Sequence, residues 1–271
     1  MKIGVVMLFD TENLEEKFKK TVAMGFRDIQ LIAWNHALLT EQSARHVTEM
    51  CEKYAVTIST FWCGWTGGGH WNFTEGPLTL GIVPAATREA RVAEMKHGSD
   101  FAALIGVGQM ATHLGFIPEN PNDPDYLPTV EAVKDIADHC KRNGQYFLFE
   151  TGQETPTTLL RLIEDSGRDN LGLNLDPANL IMYGKANPVD ALSVFGRYVR
   201  DVHAKDGHYP TTGRALGEEA RLGDGEVNFP ALIAKLSSLG YDGNLTIERE
   251  ISGEKQAEDI RTAKKILEEL I

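Results

Sequence analysis

Short apolar runs and longer amphipathic stretches alternate from one end of the chain to the other. The strand-like runs fall at 2–8, 28–34, 57–63, 109–115, 146–151, 171–176, 199–205 and 244–250. They are rich in Val, Ile, Leu, Phe and Thr and mostly continuous in apolarity, which suits strands buried on both faces. Helix-length stretches with one apolar face follow at 12–24, 40–54, 86–105, 129–143, 156–166, 187–196, 229–239 and 255–270. Eight of each in strict alternation predict one parallel-sheet α/β domain over residues 1–271. Local punctuation agrees: Gly25, Gly106, Asn143-Gly144 and Gly240 stand just past helices, and Pro156 and Pro188 stand in first turns, where a missing N–H costs nothing.

A doubly wound open sheet alternates in the same way, so alternation alone does not choose the fold. The strand ends do. Tyr146-Phe-Leu-Phe-Glu150, Leu171-Gly-Leu-Asn-Leu-Asp176, Val199-Arg-Asp-Val-His203 and Asn244-Leu-Thr-Ile-Glu248 each finish in a side chain that can bind a metal. A carboxylate closing an apolar strand is costly to bury unless it is paired or bound to a cation. One such residue is explained by a salt bridge to a nearby loop; four on four successive strands are not. In a closed (β/α)8 TIM barrel these ends converge on one face. Three carboxylates and an imidazole make a hard donor set for Mn2+ or Mg2+. Glu250 shares the inward face with Glu248 and competes for its place; Glu248 is preferred because it follows the apolar run directly.

Two connections exceed the usual βα loop. Residues 64–85 begin Gly64-Trp-Thr-Gly-Gly-Gly-His-Trp-Asn-Phe-Thr-Glu-Gly-Pro77, and residues 206–228 carry two Gly-rich turns. Both follow strands, so both are expected as lids or pocket walls. No Gly-x-Gly-x-x-Gly follows the first strand, which argues against a dinucleotide site.

Composition narrows the function classes. The 271 residues suit one barrel, and 39 acidic against 27 basic residues leave a formal charge of −12, which repels nucleic acid and anionic membranes. Lys17-Phe-Lys-Lys20 and Lys264-Lys265 read as solvated helix faces. Cys51, Cys63 and Cys140 are odd in number and form no Cys-x-x-Cys pair, which fits reduced thiols in a cytoplasmic protein. No apolar run nears the roughly 20 residues of a membrane span. Exposed barrel helices commonly form dimers or tetramers, and the sequence specifies neither.

The chain resembles the xylose isomerase-like barrel superfamily, in particular the sugar phosphate isomerase/epimerase group of ketose 3-epimerases, hydroxypyruvate isomerases and inosose dehydratases. The resemblance is carried by Phe149-Glu-Thr151, Leu175-Asp-Pro-Ala-Asn179, Val202-His-Ala-Lys-Asp206, Gly223-Asp-Gly-Glu-Val-Asn-Phe229 and Tyr241-Asp-Gly-Asn-Leu-Thr-Ile-Glu248, with Thr112-His-Leu-Gly115 on the fourth strand. It implies one divalent metal, often Mn2+, with Mg2+, Co2+ or Zn2+ as alternatives, held by Glu150, Asp176, His203 and Glu248. It also implies acid/base roles for Glu150 and Glu248 on opposite faces of a small sugar or polyol, through a metal-stabilised enediolate. One departure stands out: ketose 3-epimerases generally carry histidine where this chain has Asn179, which can hydrogen-bond a hydroxyl but cannot shuttle a proton.

Further candidates for substrate contact are His113, Lys205, Arg221 and an aromatic wall of Trp34 and Trp62, while Trp65 and Trp71 serve as well to pack the Gly-rich loop. Lys205 can neutralise developing negative charge or pair with Asp206. The absence of a basic cluster on the last two strands favours an unphosphorylated substrate. The expected activity is therefore isomerisation or epimerisation of a ketose or related polyol. An inosose dehydratase-type lyase is the nearest rival; an abasic-site endonuclease, with three zinc ions and more histidines, and a non-catalytic sugar-binding barrel stand further off.

Overall fold

Eight parallel strands close on themselves in the order β1-β10-β7-β6-β5-β4-β3-β2, in a computed structural model that describes residues 1–271. The strands are β1 (Lys2–Leu8), β2 (Asp28–Ala33), β3 (Thr57–Cys63), β4 (Gln109–Thr112), β5 (Tyr146–Glu150), β6 (Leu171–Leu175), β7 (Val199–Ala204) and β10 (Asn244–Ile247). Around them run α1 (Leu14–Ala23), α2 (Glu41–Tyr54), α4 (Ala85–Leu104), α5 (Tyr126–Arg142), α6 (Pro156–Ser166), α8 (Pro188–Phe195), α9 (Phe229–Ser238) and α10 (Glu254–Leu270). The closed (β/α)8 barrel expected from the eight alternating units and their polar strand ends is the fold observed, with element ends displaced by three residues or fewer.

The largest differences, three residues each, fall at the start of α5, which begins at Tyr126 rather than 129, and at β4 and β10, which stop at Thr112 and Ile247 rather than at 115 and 250. His113 and Glu248 therefore lie one residue beyond their strands, where the chain has turned toward the barrel mouth. The Glu248 N–H still donates to Ala204 O at 3.3 Å, which keeps that turn attached to β7.

Several short elements were not anticipated, four of them in the loops around the barrel mouth. α3 (Gly76–Thr79) lies within the first long loop. α7 (Pro177–Met182) follows β6 directly and is capped by Asp176, whose Oδ1 accepts from Asn179 N. An antiparallel pair, β8 (Asp206–Gly207) and β9 (Glu219–Ala220), folds the second long loop back on itself. Each is too brief to leave a periodic signal. One contiguous apolar cluster fills the space between barrel and helices.

Candidate metal centre

The four polar strand ends meet over the barrel mouth. One ligand atom each from Glu150, Asp176, His203 and Glu248 lies within 4.8 Å of every other. The His203 Nδ1 stands 3.2 Å from Glu150 Oε1, 3.1 Å from Glu248 Oε2 and 3.7 Å from Asp176 Oδ2. Glu250 is not among them. It is largely exposed, and its carboxylate pairs with Lys205 Nζ at 3.0 Å.

The local chain explains each placement. Thr151 clamps the Asp176 backbone: its Oγ1 donates to Asp176 O at 2.8 Å and accepts from Asp176 N at 2.9 Å. With Oδ1 committed to capping α7, Asp176 offers Oδ2 to the cluster. Glu150 is gathered from several sides. Trp62 Nε1 donates to its Oε2, and Asn179 Nδ2 and His113 Nε2 both approach its Oε1 at 3.3 Å.

The residues fit a divalent cation. His203 Nδ1 and Asp176 Oδ2 are buried, and their only close polar neighbours are the charged groups of the cluster itself, so a cation placed among them would meet donor atoms that nothing outside the cluster satisfies. Three desolvated carboxylates within so small a space also repel unless a positive charge stands among them. Protons and Lys205 supply that charge in the metal-free protein. Burial opposes ionisation of Glu150, yet the positive charges of His113 and His203 outweigh it and hold its carboxyl well below the usual range. Burial likewise opposes ionisation of Glu248, and Lys205 and His203 bring it down to about 2. Burial favours neutral His203 and Lys205, but the surrounding carboxylates raise both well above their ordinary values.

A cavity of about 410 Å³ opens above this cluster. Trp34, Trp62 and Trp71 form one wall, with Trp34 and Trp62 ring centres 5.0 Å apart. Met182, Tyr183 and Leu216 face them, and His113 and Asn179 join the carboxylates at the floor. Trp71 stands edge-on to His113 at 5.1 Å, so it belongs to the cavity as well as to its loop. Trp65 is buried behind, against Trp34 and Trp71.

One expected placement does not hold, and one of the two readings of Lys205 falls away. Arg221 lies outside this cavity, exposed and held by Asp224 in an ion pair with Nε–Oδ2 of 2.9 Å, because a tight three-residue turn satisfies its charge locally. Lys205 does not pair with Asp206: its ammonium lies 3.1 Å from Glu248, 3.0 Å from Glu250 and 3.6 Å from Asp176. The Asp206 carboxylate is taken up by the N–H groups of Gly207, Gly223, Gly225 and Val227.

Other contributors escaped the sequence reading. Tyr183 and Leu216 arrive from α7's end and the second long loop, with no periodicity to point inward. Gln153 is buried with both amide atoms unpaired, as is the Tyr183 hydroxyl. Gln30, Thr60, Asn174, Asp201 and Thr246 are buried polar residues in apolar strands. Their signal was present, as polar positions two or four residues before a site residue on the same strand.

A closed parallel barrel with an acidic, imidazole-containing cluster over one end defines the class of (β/α)8 proteins that bind ligands at the strand C-termini. The chain belongs to the xylose isomerase-like TIM barrel family, whose model matches residues 18–270. It is 36% identical to a xylose isomerase domain protein from Planctomyces limnophilus, with a TM-score of 0.93 over 99% of this chain and 96% of that one. A D-tagatose 3-epimerase-like protein shares the fold at 22% identity, with a TM-score of 0.75 over 100% of this chain and 97% of that one. An uncharacterized protein of Methanocaldococcus jannaschii is 24% identical across 100% of this chain and 89% of its own. No helix is long and apolar enough to cross a membrane.

Proposed function

We propose that this protein is a divalent-metal-dependent isomerase or epimerase of an uncharged ketose or related polyol. The observation that carries the reading is the convergence of one ligand atom each from Glu150, Asp176, His203 and Glu248 to within 4.8 Å of one another, with His203 Nδ1 and Asp176 Oδ2 satisfied by nothing outside the cluster. Glu150, Asp176, His203 and Glu248 would hold the ion, and the oxygen-rich set suits Mn2+ or Mg2+ best, with Co2+ and Zn2+ as weaker fits. When bound, the ion supplies polarisation of a substrate carbonyl and offsets the charge of the enediolate formed when the neighbouring C–H proton leaves.

The chain's own residues do the rest. Glu150 ends β5, Glu248 directly follows β10, and the two exchange a proton with the substrate carbon from different sides. Trp62, His113 and Asn179 hold Glu150 by its two oxygens. Lys205 keeps a fixed positive charge beside Glu248. The tryptophan wall of Trp34 and Trp62 packs against sugar C–H faces and excludes water. The cavity's charged lining is acidic, through Glu150, Glu248 and Glu250, and the neighbouring Lys205 ammonium already meets three carboxylates. No arginine lines the cavity and no second lysine stands ready to grip a phosphate or carboxylate, which favours an uncharged substrate.

Metal content of purified protein, followed by a screen of ketoses and inososes in heavy water, tests this reading. Solvent deuterium entering carbon without loss of water is the expected result. A new enone absorbance would instead mark the dehydratase alternative. The metal assignment predicts that Asp176→Ala and His203→Ala each abolish stoichiometric binding; retained affinity in both would overturn it.

A further inference from the structure

Directly beneath the ligand cluster lies a layer of buried polar side chains that the proposed chemistry does not use. Gln30, Thr60, Asn174, Asp201 and Thr246 all sit inside the barrel, none of them measurably exposed. Asn174, Asp201 and Thr246 precede Asp176, His203 and Glu248 by two residues, so strand pleating places them on the same inward face, one rung lower. A polar group in such a position destabilises the fold unless it is hydrogen-bonded.

Asp201 is the hub of this layer. Its Oδ2 accepts from Thr60 Oγ1 at 2.6 Å and Ser59 Oγ at 3.0 Å, and its Oδ1 from Val202 N at 2.9 Å and Thr246 Oγ1 at 3.1 Å. Gln30 connects the hub to the site above. Its Nε2 lies 3.4 Å from both Asp201 Oδ2 and Asn174 Oδ1, and its Oε1 lies 2.6 Å from His203 Nε2.

We propose that Gln30, fixed in one amide orientation by Asp201, is a positioning residue that keeps a proton on His203 Nε2 and turns the Nδ1 lone pair toward the ion. This rests on the reading of the four strand-end residues as a metal site. The two ends of the amide are not interchangeable here. A reversed Gln30 would set its carbonyl oxygen against the Asp201 carboxylate, two acceptors with no proton between them. Asp201 therefore holds the N–H end downward and sends the oxygen up to the imidazole. An amide oxygen only accepts, so the 2.6 Å contact requires the proton on Nε2. Asn174 Nδ2, 3.0 Å from the same nitrogen, cannot donate to it once that proton is present; turning the Asn174 amide over would offer a second acceptor to the same N–H, give up the 3.4 Å contact from Gln30 Nε2 to Asn174 Oδ1, and leave Asp201 as the acceptor that fixes Gln30.

A histidine that binds a cation through one nitrogen depends on the partner of the other to fix its tautomer and ring plane. Carboxylates often serve as that partner. In a site that already holds three, a neutral amide orients the ring without adding a fourth negative charge beside it.

The test uses Zn2+ as the probe on metal-stripped full-length protein, in competition with a chromophoric chelator. Gln30→Met removes the acceptor at nearly constant volume and is expected to weaken Zn2+ binding by about 10–100-fold, with the far-UV CD spectrum unchanged. Wild-type protein loaded with Zn2+ provides a second measurement that needs no variant. Long-range 1H–15N correlation should show His203 coordinated through Nδ1, with a slowly exchanging, downfield Nε2–H. Coordination through Nε2, or wild-type Zn2+ affinity in a folded Gln30→Met protein, would overturn the inference while leaving the metal site standing. Failure of the wild type to bind Zn2+ at all would overturn the metal reading, and this inference with it.

Discussion

Glu154 sits four residues beyond Glu150 in the turn after β5, buried and without an ion-pair partner within reach. Burial pushes its carboxyl up to about 7, against the smaller opposing pull of His113 and nearby backbone N–H groups. The sign of the consequence follows from linkage. An unfolded chain ionises this group near 4.5, so the folded state binds the proton more tightly and gains from it at low pH. That advantage is complete below about pH 4.5 and is lost as pH rises through about 7. At about 1.4 kcal/mol per pH unit, ionised Glu154 costs the fold about 3 kcal/mol at pH 8. Glu154→Gln should therefore raise the denaturant midpoint at pH 8 and leave it unchanged near pH 4. Equal stabilisation at both values would mean that the carboxyl is solvated or paired. Nothing in Thr151-Gly-Gln-Glu-Thr155 distinguishes this residue from a solvated loop glutamate. Glu150, by contrast, was legible because it ends an apolar strand, where a carboxylate needs a reason.

The two long loops at the barrel mouth are each fastened by one buried charge of opposite sign. Arg91, on α4, is 1% exposed and donates to Thr79 O at 2.8 Å and Gly81 O at 2.6 Å, with Thr66 O and Gly68 O at 3.5 Å. It also stacks over Trp65 at 5.2 Å, so the loop that carries Trp65 and Trp71 is tied to a helix. Asp206 mirrors this in the second loop, where it gathers four backbone N–H groups. A Cβ on Gly225 would stand 2.1 Å from Asp206 Oδ1, so only glycine permits that approach. Arg91→Met should cost about 2–4 kcal/mol, since carbonyls buried with the guanidinium lose a charged donor, and should shift tryptophan emission as Trp65 and Trp71 loosen. Asp206→Ala should open 208–224 to limited proteolysis while the barrel fragment stays folded; cleavage elsewhere first would refute the clasp.

The sequence pattern identified both loops as pocket walls from their length and their position after strands. It could not identify the fasteners. A helical arginine reads as solvated, and Asp206 beside Lys205 reads as its ion pair, because the N–H donors 17 to 21 residues further on come near only through the turn that Asp206 itself creates. The strands and main helices were legible because each repeats one period over many residues. α3, α7 and the β8–β9 hairpin were not, since two to six residues carry no period.

At the scale of the whole molecule, the barrel concentrates its like charges where they oppose folding most. With 39 acidic residues against 27 basic, the chain already repels itself, and three of those carboxylates converge at one buried point. Hydrophobic burial around the closed sheet must offset this, and so must whatever cation enters the cluster. Because the four candidate ligand residues lie at or just past the ends of β5, β6, β7 and β10, their geometry exists only when the barrel is closed. A bound ion therefore favours the folded state alone and stabilises it by mass action. At a free metal concentration 100 times the dissociation constant the gain is about 2.7 kcal/mol, or roughly 5–10 °C in Tm for a chain of this size. Chelator should lower the wild-type Tm by that amount, and returning Mn2+ or Mg2+ should restore it. In Asp176→Ala the Tm should ignore both additions, since removing one ligand leaves the chain folded around a site that no longer holds the ion. A chelator response that persists in Asp176→Ala would place the stabilising cation elsewhere on the molecule, and the convergence of the four strand ends would then need another cause.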